Sequence, residues 1–263
     1  MKIGIIGHGV VGSAVSDGMK HLGHKVIVHD LIMKTNIHDV LDTEIVFICV
    51  PTPSTESGSC DTSVVESVVS ELLSLNYSGV IALKSTVSIG TTLKLIEKHS
   101  NNKICFVPEF LRERCATEDF IYNHDLCVIG SLSETAFNLI KDSHGNLPRK
   151  FKHLTPSEAE SVKYFNNVYN ATLITFANSF CEVCESVSVN YMNVKECVTN
   201  RDHILDVYLS STEKIKGFSG PCLPKDTKEI ACLANKIGIT FFQDILKQNS
   251  KFKKTVLEGM RDE

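Results

Sequence analysis

The sequence lacks a long apolar run, and no stretch reaches the roughly 20 residues that a membrane-spanning helix needs. It also lacks a large charge excess. Its 27 basic and 31 acidic residues leave a net charge of −4, which argues against binding to nucleic acid or to an anionic membrane surface. A signal-peptide layout, internal repeats and low-complexity tracts are absent as well. The remaining composition, 43% hydrophobic and 22% charged over 263 residues, is typical of a globular protein with one large domain or two smaller ones.

Ten cysteines are present, but their positions do not indicate a disulfide framework. Cys49, Cys105 and Cys127 lie inside apolar strand-like runs, and in a chain without a signal peptide this favours free thiols in a reducing compartment. We therefore predict a cytoplasmic protein, in the host cytoplasm if the chain is viral. Cys181 and Cys184 have a CxxC spacing in a helical pattern. No second pair or histidine cluster completes a zinc site, so we predict no bound metal.

The first 30 residues carry a dinucleotide-binding pattern. A strand-like run leads into Gly7, Gly9 and Gly12 and then into a helical stretch, and Asp30 closes the next apolar run 18 positions after the last glycine. The glycines permit a tight turn, close approach of a pyrophosphate and packing of the helix on the strand. Asp30 would accept hydrogen bonds from a ribose diol and repel a 2′-phosphate, which favours NAD over NADP. The alternative is a glycine turn that only packs a strand–helix–strand unit.

Strand-like and helical segments alternate through residues 1–150, which predicts an α/β domain with a doubly wound parallel sheet of the Rossmann type. Polar residues follow several of these strands, at the edge of the sheet where ligands bind in such folds. They are Pro51 to Pro53, Ser85, Thr86, Glu109 and Glu113. The periodicity lapses over residues 145–152, where Pro148 and three basic residues occur, and we place the domain boundary at residue 150.

Residues 151–263 are predicted to form an all-α domain. After a helix-start signal at Thr155, apolar and aromatic residues recur at helical spacing from Val162 to Val187. Such a long stripe is typical of a spine helix that packs against a second subunit, so we predict a homodimer through this helix. Lys163 and Asn167 are one turn apart near its start and point the same way, although alone they would indicate only a solvated face.

A loop at residues 217–226, the thiol loop, reads Gly-Phe-Ser-Gly-Pro-Cys-Leu-Pro-Lys-Asp. Glycines let backbone approach a ligand closely, and prolines stiffen the chain around them. A rigid loop that holds a thiol beside a cation is the kind of environment that lowers the pKa of a cysteine and makes it a nucleophile. The alternative is a loop with a buried, inert cysteine.

Taken in order, these motifs resemble the UDP-glucose/GDP-mannose dehydrogenase family, NAD-dependent enzymes that oxidise a sugar-nucleotide alcohol to the carboxylate. The Rossmann pattern alone would not separate this family from other dehydrogenases, but six motifs in register span nearly the whole chain. They are Gly7 to Gly12 with Asp30, Pro51-Thr52-Pro53, Lys84 to Val87 with Gly90-Thr91-Thr92, residues 108–113 (Pro-Glu-Phe-Leu-Arg-Glu), residues 158–163 with Asn167, and the thiol loop.

The resemblance implies that Cys222 is the catalytic thiol. Its thiolate would trap an aldehyde as a thiohemiacetal, which a second oxidation turns into a thioester that water releases as the acid. Lys163 and Asn167 would stabilise oxyanion character during these steps.

Further roles are implied for Thr86 and Asp226, which would position a water or proton acceptor, and for Glu113 as general base. The cofactor-binding residues that the resemblance implies are Gly7, Gly9, Val10, Val11, Gly12, Asp30, Val50, Pro51, Thr52, Thr86 and Glu113. The substrate-binding residues that it implies are Glu109, Phe110, Leu111, Arg112, Lys163, Asn167, Phe218, Ser219, Gly220 and Lys225.

The sequence departs from the family pattern in three ways. Ser219 and Pro221 stand where members commonly carry glycine and a variable, often larger residue, and Arg114 stands where glycine is usual. Members usually continue into a second Rossmann-like domain that binds the UDP end of the substrate, and this sequence has no counterpart to it. We therefore expect a minimal form, as from a virus or a small genome, or one chain of a split enzyme.

Three functions follow as hypotheses. The first is an NAD-dependent nucleotide-sugar 6-dehydrogenase that converts UDP-glucose to UDP-glucuronate. The second is an NAD-binding homologue without turnover that acts as a regulatory or partner subunit. The third is a dehydrogenase of the β-hydroxyacid type that makes a single oxidation, and Cys222 argues against it because a two-electron oxidation needs no thiol trap.

Overall fold

The structure is a computed structural model that describes residues 1–212 and 215–252. The chain divides into two compact units. The first comprises residues 1–53 and 60–163, and the second comprises residues 54–59 and the chain from Tyr164 onward. The last eleven residues of the predicted second domain, 253–263, and residues 213–214 lie outside the described part of the chain.

The first unit is built on one sheet whose strands are arranged in the order β2-β1-β3-β4-β5-β6-β7. The strands are β1 (Lys2–Ile6), β2 (Lys25–His29), β3 (Ile45–Ile48), β4 (Val80–Leu83), β5 (Ile104–Phe106), β6 (Leu126–Gly130) and β7 (Lys150–Leu154). Its helices are α1 (Val10–His21), α2 (Ser63–Ser74), α3 (Thr91–His99), α4 (Ala116–Ile121) and α5 (Glu134–His144), with single 3-10 turns at Ile37–Val40 and Glu113–Cys115. The alternation of strands and helices confirms the predicted α/β class.

The central strands are apolar on both faces because helices cover the sheet on both sides. In β3, Val46 and Ile48 pack with α2 and α3, whereas Ile45 and Phe47 pack with α1, α4 and α5. All four residues of β3 are fully buried. Successive side chains of a strand point to opposite faces, so an uninterrupted apolar run is what a strand between two helical layers requires.

The structure differs from the sequence-based expectation at the end of this sheet. β6 runs antiparallel to β5. The segment of lapsed periodicity at residues 145–152, in which the sequence predicts the domain boundary, contains the start of β7, which pairs in parallel with β6. β7 is an edge strand that alternates exposed Lys150 and Lys152 with half-buried Phe151. Charged residues are typical of edge strands, and their alternation here leaves no apolar run for the sequence pattern to detect.

The second unit is helical. Its helices are the greater part of α6 (Pro156–Ser186), then α7 (Tyr191–Thr199), α8 (Leu223–Asn235) and α9 (Phe241–Asn249). The 31-residue α6 confirms the predicted spine helix, and the division between the units falls inside it, after Lys163. Two small cores pack on α6 within this unit, one around Cys181, Cys184 and Tyr191 and the other around Ala171 and Phe218.

The described part of the chain contains no helix that combines the length and the apolar character needed to cross a membrane. All ten cysteines lie within the described residues, and none of them forms a disulfide.

Buried His144, half-buried His124 and buried Lys84 lie close together in the first unit. The rings of His124 and His144 are 5.9 Å apart, and the Lys84 ammonium lies over the Phe47 and Phe120 rings at 5.7 and 5.9 Å. Burial lowers the pKa of His124 to about 4 and that of His144 well below its usual range, and the charge of Lys84 acts in the same direction. Both histidines are therefore neutral in the folded protein near pH 7.

Acid should destabilise the first unit through these histidines. We expect the free energy of unfolding to fall by about 2 kcal/mol between pH 8 and pH 5 through His124 alone. The unfolded chain takes up the proton near its ordinary pKa of about 6.5, but the folded chain does so only near 4. Urea unfolding at both pH values measures this, with the exposed His38→Gln as control. An equal pH dependence in wild type and His124→Gln would contradict the assignment.

Candidate active site

The turn between β1 and α1 has the geometry of a phosphate-binding turn. Gly7 has φ +88°, and a Cβ there would lie 2.8 Å from the backbone of Cys49. A Cβ on Gly12 would lie 1.9 Å from the Gly7 carbonyl oxygen, whereas a Cβ on Gly9 would meet nothing within 4 Å. Close packing therefore requires glycine at positions 7 and 12. Gly9 faces open space at the start of α1, where a pyrophosphate can approach the helix N-terminus.

Asp30 follows β2 and is held beside this turn. One carboxylate oxygen accepts a hydrogen bond from the His8 N–H at 2.7 Å, and the other accepts from the Ile32 N–H at 2.8 Å. The bond from His8 is the main cause that lowers the pKa of Asp30 below its ordinary value. Asp30 is therefore an ionised acceptor at the end of β2, which suits the hydroxyls of an adenosine ribose.

The segments after β3 and β4 complete the predicted cofactor site of the first unit. The Ser85 hydroxyl donates to the Val50 carbonyl at 2.7 Å, which fixes Val50 at the end of β3. The Thr86 carbonyl accepts a hydrogen bond from the Cys60 thiol at 3.2 Å. Thr52 is buried. The residues present fit NAD: a close-packed glycine turn, an ionised Asp30 and ordered strand ends lie at the same edge of the sheet.

Lys163 and Glu109 form a buried ion pair inside the first unit. The Lys163 ammonium donates to a Glu109 carboxylate oxygen at 2.8 Å and to the Glu109 carbonyl at 2.7 Å, and the two side chains are 5% and 9% exposed. The second carboxylate oxygen accepts from the Leu111 N–H at 2.7 Å, and the Phe110 ring lies 5.9 Å from the ammonium. Burial is the largest single influence and would raise the pKa of Glu109. The charge and hydrogen bond of Lys163, the Leu111 N–H and the charge of Lys84 together outweigh it, so the pKa lies below the ordinary value.

Arg112 is fixed by a partner that the sequence did not indicate. Its guanidinium donates to both carboxylate oxygens of Asp119 on α4, at 2.9 and 2.6 Å, and its backbone N–H donates at 2.9 Å. These bonds, the side-chain one first, lower the pKa of Asp119 to about 2. The segment after β5 is thus held at Glu109 and at Arg112, and half-buried Glu113 follows at the start of the 3-10 turn.

A second unpredicted residue, Glu160, caps α3 from α6. It is fully buried and accepts hydrogen bonds from the N–H of Gly90 at 2.5 Å and from the N–H and hydroxyl of Thr92 at 2.8 and 2.6 Å. Because the first N–H groups of a helix have no internal partner, these bonds satisfy donors that would otherwise be buried unpaired. The first turns of α6 are thereby fastened within the first unit.

The second unit contains Cys222 and its surroundings. Cys222 is exposed and occupies the N-cap position of α8, with Pro224 in the first turn. Asp226, one turn later, is fully buried. Its two carboxylate oxygens accept from the Asn167 side-chain amide at 2.6 Å and from the Lys225 ammonium at 2.8 Å. Asn167 and Lys225 are thus brought together on Asp226, which is one helical turn after Cys222.

Phe218 is part of the interior of the second unit. Its side chain is 4% exposed and packs with Ala171 of α6 and Ile245 of α9. Gly217 and Gly220 have φ values of +72° and +79°, a backbone conformation that favours glycine, so the loop bends on both sides of Phe218. Phe218, predicted as a substrate contact, therefore has its ring in the core.

A cavity of about 790 Å³ adjoins the thiol loop within the second unit. Its lining includes Ser219, Lys228 of α8, Lys236 directly after that helix and Gln243 of α9. In residues 1–212 and 215–252, no three or more histidine, cysteine or acidic side chains form a group that could hold a metal ion.

Two family models match the chain. The one for the NAD binding domain of the UDP-glucose/GDP-mannose dehydrogenase family matches residues 29–147, and the one for the central domain of the same family matches residues 157–252.

Relatives and solved structures match along most of the chain. The chain is 28% identical to the UDP-glucose 6-dehydrogenase AglM of Haloferax volcanii, over 90% of this chain and 66% of the relative. It is 30% identical to the GDP-mannose 6-dehydrogenase of Pseudomonas aeruginosa, over 76% of this chain and 49% of the relative. The structure of a UDP-glucose dehydrogenase from Pyrobaculum islandicum superimposes with a TM-score of 0.85 at 26% identity, over 95% of this chain and 68% of that one. The chain thus spans up to about two thirds of the length of these proteins.

Proposed function

Because the chain belongs to the UDP-glucose/GDP-mannose dehydrogenase family, we propose that it oxidises the primary alcohol of a nucleotide sugar to the carboxylate, with UDP-glucose as substrate and NAD as cofactor. The observation that carries this proposal is the exposed thiol of Cys222 at the start of α8, one turn from the buried Asp226. The names of the relatives support the substrate class.

Oxidation of a primary alcohol to a carboxylate removes four electrons, which is two hydrides, and takes up one water. NAD supplies the hydride acceptor for each oxidation. Gly7, Gly9, Gly12 and Asp30 would hold it, with Val50 to Thr52 and Thr86 at the neighbouring strand ends.

Cys222 would retain the sugar between the two oxidations. Its thiolate adds to the aldehyde carbon to give a thiohemiacetal, and removal of the second hydride leaves a thioester. Water then attacks the thioester carbonyl, the carbon–sulfur bond breaks, and the thiol is regenerated with release of the carboxylate. A position at a helix N-terminus favours the thiolate form that the addition needs.

Lys163 and Asn167 would stabilise the negative oxygen that forms at each step, as a cation and an amide donor. Lys163 is oriented by Glu109, and Asn167 by Asp226. Thr86 and Asp226 would position the attacking water, and half-buried Glu113 would accept its proton as general base.

The stoichiometry of reduction tests the proposal. With UDP-glucose limiting and NAD in excess, we expect two NADH per sugar, read at 340 nm, and UDP-glucuronate as the product identified by mass spectrometry. GDP-mannose is the comparison substrate. One NADH per sugar would contradict the four-electron reaction, and NAD binding without NADH from either sugar would indicate a binding subunit instead.

We also propose that the protein is a homodimer joined through α6. Five large apolar side chains are exposed along this helix, namely Phe165, Tyr169, Phe176, Phe180 and Val183, and exposed Val187 follows directly after its end. The four aromatic rings form two close pairs, with centroids 6.3 and 5.8 Å apart. A stripe along one helix can pair with its own copy about a two-fold axis, and exposed apolar patches of this extent are typical of subunit contacts.

We expect light scattering to give twice the 29.1 kDa mass of the chain at micromolar concentration. Phe176→Glu places a charge in the centre of the stripe and should convert the protein to a monomer. Phe241→Glu, an equally exposed aromatic on α9, should leave the dimer intact. A wild type that elutes as a monomer would contradict the proposed dimer.

A further inference from the structure

Asn249, the last residue of α9, is hydrogen-bonded to both backbone groups of Phe218 in the thiol loop. Its side-chain oxygen accepts from the Phe218 N–H at 2.7 Å, and its side-chain nitrogen donates to the Phe218 carbonyl at 2.9 Å. The two residues are 31 positions apart in the sequence. An amide side chain carries a donor and an acceptor side by side, so it can pair with one residue of backbone as a neighbouring strand would.

The same point of the loop is fixed by packing. The Phe218 ring is buried against Ile245 and Leu246, which precede Asn249 on α9. The backbone bends at Gly217 and Gly220, both with positive φ, on either side of this anchored residue. Cys222 is four positions after Phe218, and the three residues between them include Pro221, which limits the freedom of this short segment. The position of Phe218 therefore restricts where the thiol can lie.

We propose that Asn249 is a positioning residue for the thiol: it clamps Phe218 to α9 and so fixes the loop that presents Cys222. The inference rests on the proposed function of Cys222, but the clamp itself is a property of the second unit and can be measured without turnover. Holding a nucleophile in one place contributes to rate through orientation, and a displacement of about 1 Å can cost about 100-fold.

Two substitutions test the clamp. Asn249→Ala removes both hydrogen bonds. Asn249→Asp keeps the size and the acceptor, but turns a second oxygen toward the Phe218 carbonyl in place of the N–H donor. The matched control is Asn235→Ala, an exposed amide on α8 that lines the same cavity. Three quantities are measured: kcat and KM for NADH formation, the rate of iodoacetamide alkylation at Cys222 by peptide mass spectrometry, and hydrogen exchange of the segment containing Phe218.

For both Asn249 variants we expect kcat to fall about tenfold or more with KM changed less than about threefold. We also expect the Cys222 alkylation rate at pH 7 to change by at least about threefold, and exchange at Phe218 to accelerate, because the loop no longer holds the thiol at the N-terminus of α8. Asn235→Ala should match wild type in all three.

Unchanged alkylation and exchange in folded Asn249→Asp would overturn the clamp, whatever the turnover of the wild type. A lower unfolding free energy with unchanged kcat and alkylation would overturn it as well, since that is the result of a purely structural contact. A wild type without turnover would refute the proposed function and leave the alkylation and exchange results to decide on the clamp.

Discussion

Cys222→Ser is expected to lower NADH formation from UDP-glucose by roughly three orders of magnitude or more while leaving NAD binding unchanged. A serine hydroxyl is a far weaker nucleophile than a thiolate near neutral pH, so the aldehyde is not retained and no thioester forms. NAD binding is expected to persist because Gly7 and Asp30 lie in the first unit, whereas Cys222 lies in the second.

The measurement is steady-state NADH formation together with NAD titration by fluorescence. Cys197→Ser is the matched control, because Cys197 on α7 is also exposed and has no assigned role. Two NADH per sugar at the wild-type rate from Cys222→Ser would refute the thioester route, and one NADH per sugar, insensitive to this substitution, would favour a single oxidation.

Lys163→Met is expected to destabilise the first unit by about 3–5 kcal/mol, because it leaves the buried carboxylate of Glu109 without its cation. The pH dependence has a definite sign. In wild type the pKa of Glu109 is lowered, so its contribution to stability is present at neutral pH and is lost as the pH falls through the acid range. In the variant, burial is no longer opposed by Lys163 and exceeds the remaining influence of the Leu111 N–H and the Lys84 charge. It should therefore raise the pKa of Glu109, and the deficit relative to wild type should shrink toward pH 5.

Urea unfolding of Lys163→Met and of the double variant with Glu109→Gln separates stability from turnover. The second substitution removes the stranded charge, so it should restore most of the unfolding free energy, but activity should stay low because the oxyanion cation is gone. The control is Lys195→Met, whose ion pair with half-exposed Asp206 should contribute about 1 kcal/mol or less. Equal losses in Lys163→Met and Lys195→Met would contradict the buried-pair account.

The parts of the fold that the sequence predicts are those with a local physical signature. β3 and β4 are uninterrupted apolar runs because helices cover both faces of the sheet, and α6 repeats apolar residues at helical spacing over its length. The glycine pattern of the turn between β1 and α1 can be recognised in the sequence because close packing leaves no room for a larger residue at Gly7 or Gly12. Order and spacing of such signals carry the family resemblance, which the family models confirm.

What the sequence did not predict depends on contacts between distant residues. Glu160 caps α3 across 68 positions, and Asn249 reaches Phe218 across 31. Local spacing encodes neither partner. The edge strand β7 was missed for a different reason, because its charged residues interrupt the apolar pattern. Periodicity also did not show that small residues of α6, such as Ala177 and Cys181, would form its contacts with the core of the second unit.

The burial of the cysteines divides the ten thiols into distinct kinetic classes. Among the cysteines in the described ranges, Cys197 and Cys222 are exposed, and burial raises the pKa of Cys105 and Cys127 to about 12. A dilute thiol reagent should therefore titrate the two exposed thiols quickly in the native protein, the three half-buried ones more slowly, and the five buried ones only as the chain opens. The reaction rate of the buried thiols thus measures how often the interior opens, whereas the rate of the two fast thiols measures their reactivity in the folded protein.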